Sequence, residues 1–253
     1  MEVTITQYAI VAVMIFLAGF VDAIAGGGGL ISLPTYLLIG VPPQYALGTN
    51  KMGSFWGTAL SAWRFTKNGF INWKKAVFFA AAAMLGSGIG ANLTLLLPEA
   101  IVGKIILVSL PVVAAIVIFD RKMGDDSRAG TIPERRQFRL TLLIALVIGM
   151  YDGFYGPGTG TFLILLLTEA ARYTMKEASG ITKAINGCSN AFALITFLIH
   201  GRVLLPLGIV AALCSIAGNY LGSGMVLNRG QKIVRPLMLV VIVIMFIRIL
   251  TGN

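Results

Sequence analysis

Apolar runs separated by short polar stretches divide the chain into ten segments, and most approach the ~20 residues that a helix needs to cross a bilayer core. Two are shorter: the apolar parts Leu30–Ile39 and Thr161–Thr168 hold about ten residues or fewer, which as helix span ~15 Å or less, half a membrane. The segments are 5–25, 29–40, 45–66, 75–97, 101–119, 139–155, 160–171, 178–200, 205–228 and 234–250. The pattern predicts an all-α polytopic membrane protein with two short, broken helix pairs.

The two halves of the chain repeat one another. Asp22 corresponds to Asp152 and Gly26 to Gly156 at a spacing of 130 residues. After an insertion of two residues the spacing is 132, and the pairs are Gly48 with Gly180, Lys51 with Lys183, Gly69 with Gly201, Gly86 with Gly218, and Gly90 with Gly222. Helices broken at matched positions in two repeats indicate a transporter binding site. We therefore divide the chain into a first repeat (1–120), a linker (121–138) and a second repeat (139–253).

The distribution of lysine and arginine favours inverted repeats. If each repeat crosses the membrane five times, 15 basic residues lie on the cytoplasmic side and 3 outside. If the short segments are instead re-entrant hairpins, giving four crossings per repeat and parallel repeats, the counts are 12 and 6. Lys51 and Lys183 stay within the motifs in both cases. The stronger positive-inside bias predicts two inverted repeats of about five transmembrane segments, with 120–139 and 229–235 in the cytoplasm.

Composition supports a membrane protein and narrows its partners. Hydrophobic residues make up 57% of the chain and charged residues 12%, against about 25% charged in a typical soluble domain. We expect the net charge of +10 to reflect topology and contact with the lipid bilayer's anionic inner leaflet, with no nucleic-acid partner. Cys188 and Cys214 lie in apolar segments and His200 stands alone, so we expect no metal site and no cofactor.

The glycine clusters are the first candidate site. A short helix that begins at a glycine cluster presents free N–H groups and the positive end of its dipole, and glycine lets an anion approach the backbone closely. Packing of neighbouring helices is the alternative reason for such glycines, and we favour it for Gly86, Gly88, Gly90, Gly218, Gly222 and Gly224. The substrate-binding candidates are Gly26, Gly27, Gly28, Gly29, Gly156, Gly158, Thr159 and Gly160. We predict that they hold a small anion between two opposed helix N-termini.

The repeated lysines are the second candidate site. Lysine at the start of a membrane helix can extend to the headgroups, but both lysines recur at one register with polar neighbours. Polar side chains on the same helical face, behind a cation, suit a small oxyanion. The candidates are Thr49, Asn50, Lys51 and Ser54 in the first repeat, and Thr182, Lys183, Asn186 and Asn190 in the second.

Asp22 and Asp152 precede the glycine clusters, and three roles stay open for them. They could cap the short helices, pair with Lys51 and Lys183, or carry a coupled proton, because a partly desolvated carboxylate beside a cation can titrate during transport. We therefore class the two aspartates as coupling or structural residues.

Four motifs in order resemble the TauE/SafE sulfite exporter family, in particular its bacterial inner-membrane branch. They are Gly19–Gly29 (GFVDAIAGGGG), Gly48–Lys51 (GTNK), Tyr151–Gly158 (YDGFYGPG) and Gly230–Pro236 (GQKIVRP). The resemblance covers nearly the whole chain and implies export of sulfite, sulfoacetate or other organosulfur anions. Pro157 replaces a glycine of the first copy and Thr159 is inserted, so the two half-sites cannot be chemically identical.

Other functional classes fit less well. An anion channel using the same site is the alternative to a secondary transporter, and an intramembrane aspartyl protease is a remote third possibility that lacks its Gly-x-Gly-Asp motif. The Gly-x4-Gly-Lys-[Ser/Thr] spacing of a P-loop is missing, so we do not expect ATP coupling. We expect a transporter that is not an enzyme; whether it forms a homo-oligomer stays open.

Overall fold

The computed structural model describes residues 3–119 and 126–229, and this part of the chain is all-helical. A 3₁₀ turn at Asp126–Arg128 lies in the predicted linker. The helices are α1 (Ile5–Ala25), α2 (Gly29–Leu38), α3 (Pro43–Lys67), α4 (Trp73–Leu96), α5 (Glu99–Phe119), α6 (Glu134–Phe154), α7 (Thr159–Glu169), α8 (Met175–Ile199) and α9 (Leu205–Arg229). Nine of the ten predicted segments are therefore confirmed as helices; the tenth, 234–250, lies outside the described residues.

Within residues 3–119 and 126–229, four helices are long and apolar enough to cross a membrane. They are Ile5–Ile24, Trp73–Leu96, Glu134–Phe154 and Leu205–Val226, in α1, α4, α6 and α9. Helices α3 and α8 are equally long, with 25 residues each, but carry rows of buried polar side chains that lower their hydropathy. Large apolar side chains such as Leu85, Leu107 and Leu213 are exposed on the outer surface, as expected where lipid replaces water as the surroundings.

The two short helices, α2 and α7, begin at the glycine clusters, as predicted. Gly26 closes α1 with a left-handed φ of 75°, and Gly158 precedes α7 with a φ of 77°. This backbone region is accessible to glycine at little cost, so the glycines can end one helix and redirect the chain. Thr159 then starts α7 and Gly29 starts α2, each directly after the break.

Each short helix runs back along the long helix before it. Gly28 lies against Ala18 and Asp22 near the end of α1. At the other end of α2, Gln7 Nε2 donates to the carbonyl oxygen of Ile39 at 3.1 Å. The second repeat has the matched contact, because Gln137 Nε2, on α6, donates to the carbonyl oxygen of Ala171 at 2.9 Å. Helices α1 and α2 therefore form a helical hairpin, and α6 and α7 form its counterpart.

Helices of each repeat pack mainly against helices of the other repeat. Helix α1 packs on α9 and α6 packs on α4, while α3 lies against both α8 and α9. Glycines make these contacts close: a Cβ at Gly218 would collide with the carbonyl oxygen of Phe16, and one at Gly86 with that of Leu146. Gly90 and Gly222 meet Met150 and Phe20 in the same way, which confirms close packing for these four glycines.

Contacts between helix ends form two groups, one at the starts of α4, α6 and α8 and the other at the starts of α5 and α9. Lys75, at the start of α4, pairs with Glu134, at the start of α6, with 2.6 Å between Nζ and Oε1. At the start of α8, Met175 N donates to Asp126 Oδ1 at 2.8 Å. In the other group, Arg202, before α9, pairs with Glu99, at the start of α5, at 3.1 Å.

Candidate functional site

The two repeated lysines are buried where the repeats meet. Lys51, on α3, is 1% exposed, and Lys183, on α8, is 3% exposed. A lysine that extends to the lipid headgroups keeps its ammonium in contact with water, so this burial argues against snorkelling. Because α3 packs directly on α8, both ammonium groups lie near the contact between the first and second repeats.

Lys51 forms an ion pair with the aspartate of the other repeat. Its Nζ lies 2.9 Å from Oδ1 of Asp152, and it also donates to Oδ1 of Asn190 at 3.0 Å. Asp152 accepts two further hydrogen bonds, from Thr159 Oγ1 at 2.9 Å and from Ser189 Oγ at 2.6 Å. Pairing, one of the three roles left open, therefore applies to Asp152, and its charge is fully compensated.

Lys183 also reaches the other repeat, but it contacts the backbone of Asp22. Its Nζ donates to the main-chain oxygen of Asp22 at 2.6 Å. No basic side chain in residues 3–119 and 126–229 lies within 4.0 Å of the Asp22 carboxylate. That carboxylate accepts from Gly28 N at 3.3 Å and from Thr58 Oγ1 at 3.4 Å. Asp22 thus contacts the N-terminal turn of α2, and Lys183 interacts with the Asp22 charge without forming an ion pair within 4.0 Å among the described residues.

The predicted polar face of α8 is present and buried. Asn186 and Asn190 bond to each other, with Asn190 Nδ2 donating to Asn186 Oδ1 at 3.0 Å. Thr182, beside Lys183, is fully buried, and its hydroxyl has no hydrogen-bond partner within the described structure. An unpaired buried hydroxyl next to a buried ammonium can donate to an anion that the ammonium attracts.

The two glycine clusters meet at their backbones. Gly160 N donates to the carbonyl oxygen of Gly26 at 3.2 Å, and a Cβ on Gly29 would lie 2.9 Å from Cα of Pro157. A Cβ on Gly156 would lie 3.0 Å from Nζ of Lys51, so this cluster also borders the lysine. Gly27 and Gly28 are buried. In this conformation the clusters contact each other, and an anion between them would require the two repeats to separate.

Several first-turn N–H groups of the short helices already have partners. Leu30 N and Ile31 N donate to the carbonyl oxygens of Gly27 and Gly28, both at 3.0 Å, and Thr159 N donates to that of Gly156 at 3.2 Å. Fewer free backbone donors are therefore available here than the sequence prediction assumed. The lysine site does not depend on these donors.

The remaining candidates of the first repeat have separate positions. Thr49 Oγ1 accepts from Leu204 N at 3.0 Å and so joins α3 to the start of α9. Asn50 Oδ1 accepts from Ser32 Oγ at 2.5 Å. Ser54 lines a small cavity beside Asp22. The Thr49 hydroxyl is thus already bonded to the backbone before α9, whereas Asn50 and Ser54 lie close to Asp22.

The sequence analysis did not identify Ser32 and Tyr36, on α2, or Thr58, on α3. All three line the Asp22 cavity or bond to Asp22. Ser32 and Tyr36 are four residues apart, on one face of a short apolar helix, and Thr58 follows Ser54 at the same spacing. Helical spacing from the candidates already chosen could have identified them.

Comparison with known proteins identifies the family. The model of the family described as "Sulfite exporter TauE/SafE" matches residues 11–249, nearly the whole chain. The chain belongs to the TauE/SafE family. Membership places it among membrane transporters and confirms the resemblance seen in its four motifs.

Curated relatives carry the same general description. A "Probable membrane transporter protein ORF9" of Sinorhizobium sp. is 35% identical over 96% of this chain and 92% of the relative. One from Haemophilus influenzae is 34% identical over 95% and 93%, and "YfcA" of Escherichia coli K12 is 30% identical over 92% and 86%. These names give no substrate. No solved structure matches the chain significantly.

Proposed function

We propose that this TauE/SafE protein is a secondary transporter that exports small oxyanions, such as sulfite or organosulfonates, across the bacterial inner membrane. The main supporting observation is Lys183, a buried ammonium that bonds to a main-chain oxygen and forms no ion pair within 4.0 Å in the described residues. In a medium of low dielectric, a charge that is not in direct contact with a counter-charge interacts strongly with an anion that approaches it. We propose no enzymatic activity for this site.

The anion site that we propose lies around Lys183, with Thr182 as a hydrogen-bond donor and the glycine clusters beside it. Lys51 is already neutralised by Asp152 at 2.9 Å, so its charge is available to an anion only if this pair separates. The contact between Gly26 and Gly160 closes the space between the short helices. Binding there, with both helix N-termini facing the anion, then belongs to a second conformation in which the repeats have moved apart.

The contacts at the helix ends support the inverted repeats that we propose. Gln7 and Gln137 hold each hairpin so that its short helix ends beside the start of the long one. Three more helices follow in the first repeat, which moves the chain to the opposite end of the bundle before α6 begins. A hairpin at the start of each repeat is therefore compatible with inverted repeats. The count of lysine and arginine residues had considered hairpins only together with parallel repeats.

Cysteine labelling tests the topology. In a background with Cys188 and Cys214 replaced by serine, we would introduce single cysteines at Asn68 and His200, both exposed at helix ends. A membrane-impermeant maleimide added to intact cells should label His200→Cys but not Asn68→Cys, and permeabilised cells should label both. Labelling of both positions from outside would contradict the inverted arrangement.

Flux measurements test the transport function. The purified protein in proteoliposomes should exchange [³⁵S]sulfite or a labelled sulfonate in a panel that includes sulfate, chloride and an uncharged solute as controls. A transporter shows saturable exchange that an internal substrate accelerates, while the alternative, a channel, passes current without exchange. Failure of every anion to cross above protein-free liposomes would refute the proposal.

A further inference from the structure

The two aspartates of the duplicated motif have different surroundings. Asp152 is buried and receives one ion pair and two hydrogen bonds, of 2.6 to 2.9 Å. Asp22 is half-buried, and its carboxylate receives two longer hydrogen bonds, of 3.3 and 3.4 Å. A carboxylate inside a membrane protein requires compensation of its charge. At Asp22, the Lys183 ammonium is nearby but no described cation lies within 4.0 Å of the carboxylate, so the compensation is weaker than at Asp152.

A small cavity lies beside Asp22, between α1, α2, α3 and α9. Its volume is about 10 Å³, roughly enough for one water-sized species. Among the described residues that line it, Asp22 is the one with a charged side chain. The other polar side chains that line it are Ser32, Tyr36, Asn50, Ser54 and Ser215. Neutral oxygens around a single carboxylate suit a small, hard cation and do not suit an anion.

Tyr36 provides independent evidence that this cavity has an occupant. Its side chain is 0% exposed, and its hydroxyl has no hydrogen-bond partner in the described structure. Buried hydroxyl groups are nearly always paired, and an unpaired one is costly. Because Tyr36 lines the cavity, an occupant of the cavity is the partner within its reach.

We propose that this cavity binds one sodium ion, with the Asp22 carboxylate as its charged ligand. The single charge of Asp22 matches a monovalent ion, and the cavity accepts the ion without a hydration shell. Cys188, Cys214 and His200 gave no sign of a metal site in the sequence, because they do not form a cluster of metal-binding side chains. No group of three such residues exists in the described ranges, but sodium needs only one carboxylate and neutral oxygens.

In the described part of the second repeat, the matched positions do not form an equivalent site, so we expect one ion per chain. The position that corresponds to Ser215 is Ala83, and the one that corresponds to Gly53 is the buried Ile185. Tyr36 corresponds to Thr168, whose hydroxyl bonds to the carbonyl of Ile164 in its own helix at 2.9 Å. Lys51 already supplies the positive charge beside Asp152.

Sodium at Asp22 would couple to the anion at Lys183; this role rests on the proposed transport function. Lys183 contacts the main-chain oxygen of Asp22, so the two charges are neighbours. An ion that neutralises the carboxylate leaves the ammonium free to attract an anion. Each ion should therefore raise the affinity for the other by the same factor.

Binding of ²²Na⁺ to the purified protein, without any anion substrate, tests the site. A scintillation proximity assay in detergent, with choline chloride holding the ionic strength constant, should show saturable binding of one ion per chain. Tyr36→Phe should weaken binding about tenfold and Asp22→Asn should abolish it. Thr168→Val, which removes the hydroxyl at the matched position, should bind like the wild type.

Thermal stability excludes misfolding as the cause of lost binding. Tyr36→Phe removes an unpaired hydroxyl, so its melting temperature in choline should equal or exceed that of the wild type. Absence of bound ²²Na⁺, or unchanged binding in Tyr36→Phe, would overturn the sodium site and indicate a cavity that holds only water. Anion exchange in sodium-free proteoliposomes at the full rate would overturn the coupling while leaving anion transport intact. Sodium binding without any anion flux would instead refute the proposed function alone.

Discussion

The two repeated lysines should differ in what they contribute to stability. Replacing Lys51 by methionine leaves the Asp152 carboxylate buried without its cation, and the side chains of this pair are only 2% and 3% exposed. Breaking one half of a buried pair costs about 3–5 kcal/mol. For a chain of this size, that corresponds to a fall in melting temperature of roughly 6–20 °C.

Lys183→Met should behave differently because no carboxylate lies within 4.0 Å of this lysine in the described structure. It removes one hydrogen bond to a main-chain oxygen, a loss of about 1 kcal/mol or a shift of roughly 2–4 °C. Transport should nevertheless be lost. The double variant Lys51→Met/Asp152→Asn removes both charges of the pair and should recover most of the stability lost in Lys51→Met.

Thermal unfolding in detergent, followed by intrinsic fluorescence, measures these effects for the three variants and the wild type. Equal melting temperatures for Lys51→Met and Lys183→Met would contradict this difference, since both lysines would then contribute equally to stability. A double variant no more stable than Lys51→Met would show that the charge of Asp152 is not what destabilises the single variant.

Two further predictions follow from unpaired and crowded groups. Thr182→Val should leave the melting temperature unchanged or raised, because the Thr182 hydroxyl is unpaired in the described structure. The same variant should weaken anion binding about tenfold. Thr196→Val, on the same helix, is the control because the Thr196 hydroxyl bonds within its own helix. Gly26→Val should lower the free energy of unfolding by more than ~3 kcal/mol (~6 °C or more in melting temperature), since φ is +75° and a Cβ would collide with Gly160. Gly69→Val is the control: φ is +72° but the space around it is open, so it should lose only the ~1–2 kcal/mol of backbone strain. A smaller loss for Gly26→Val than for Gly69→Val would contradict the contact between the clusters.

Sequence alone predicted the helices well because membrane segments are encoded locally. Apolar length marked each segment, and Gly26 and Gly158 marked the breaks, since only glycine readily adopts their left-handed backbone. The return of each short helix along the long one was not predicted. It depends on distant contacts such as the one from Gln7 to Ile39, which leave no signal in local composition.

The site was predicted in its residues but not in its pairing. Lys51 and Lys183 occupy one register of a repeat, so sequence treated them alike. Their partners lie in the other repeat: a carboxylate for Lys51 and a main-chain oxygen for Lys183. The inserted Thr159, noted in the sequence as a difference between half-sites, supplies a hydroxyl to Asp152. The asymmetry of Asp22 and Asp152 is therefore a property of the packing, only partly visible in the sequence.

Exchange of a labelled anion in proteoliposomes measures whether anion transport depends on Lys183. Wild type, Lys183→Met and Lys104→Met should be compared at equal reconstituted amounts, with Lys104 as an exposed lysine outside the site. We predict saturable exchange for the wild type and Lys104→Met, and exchange at the level of protein-free liposomes for Lys183→Met. Exchange by Lys183→Met at the wild-type rate would contradict the account.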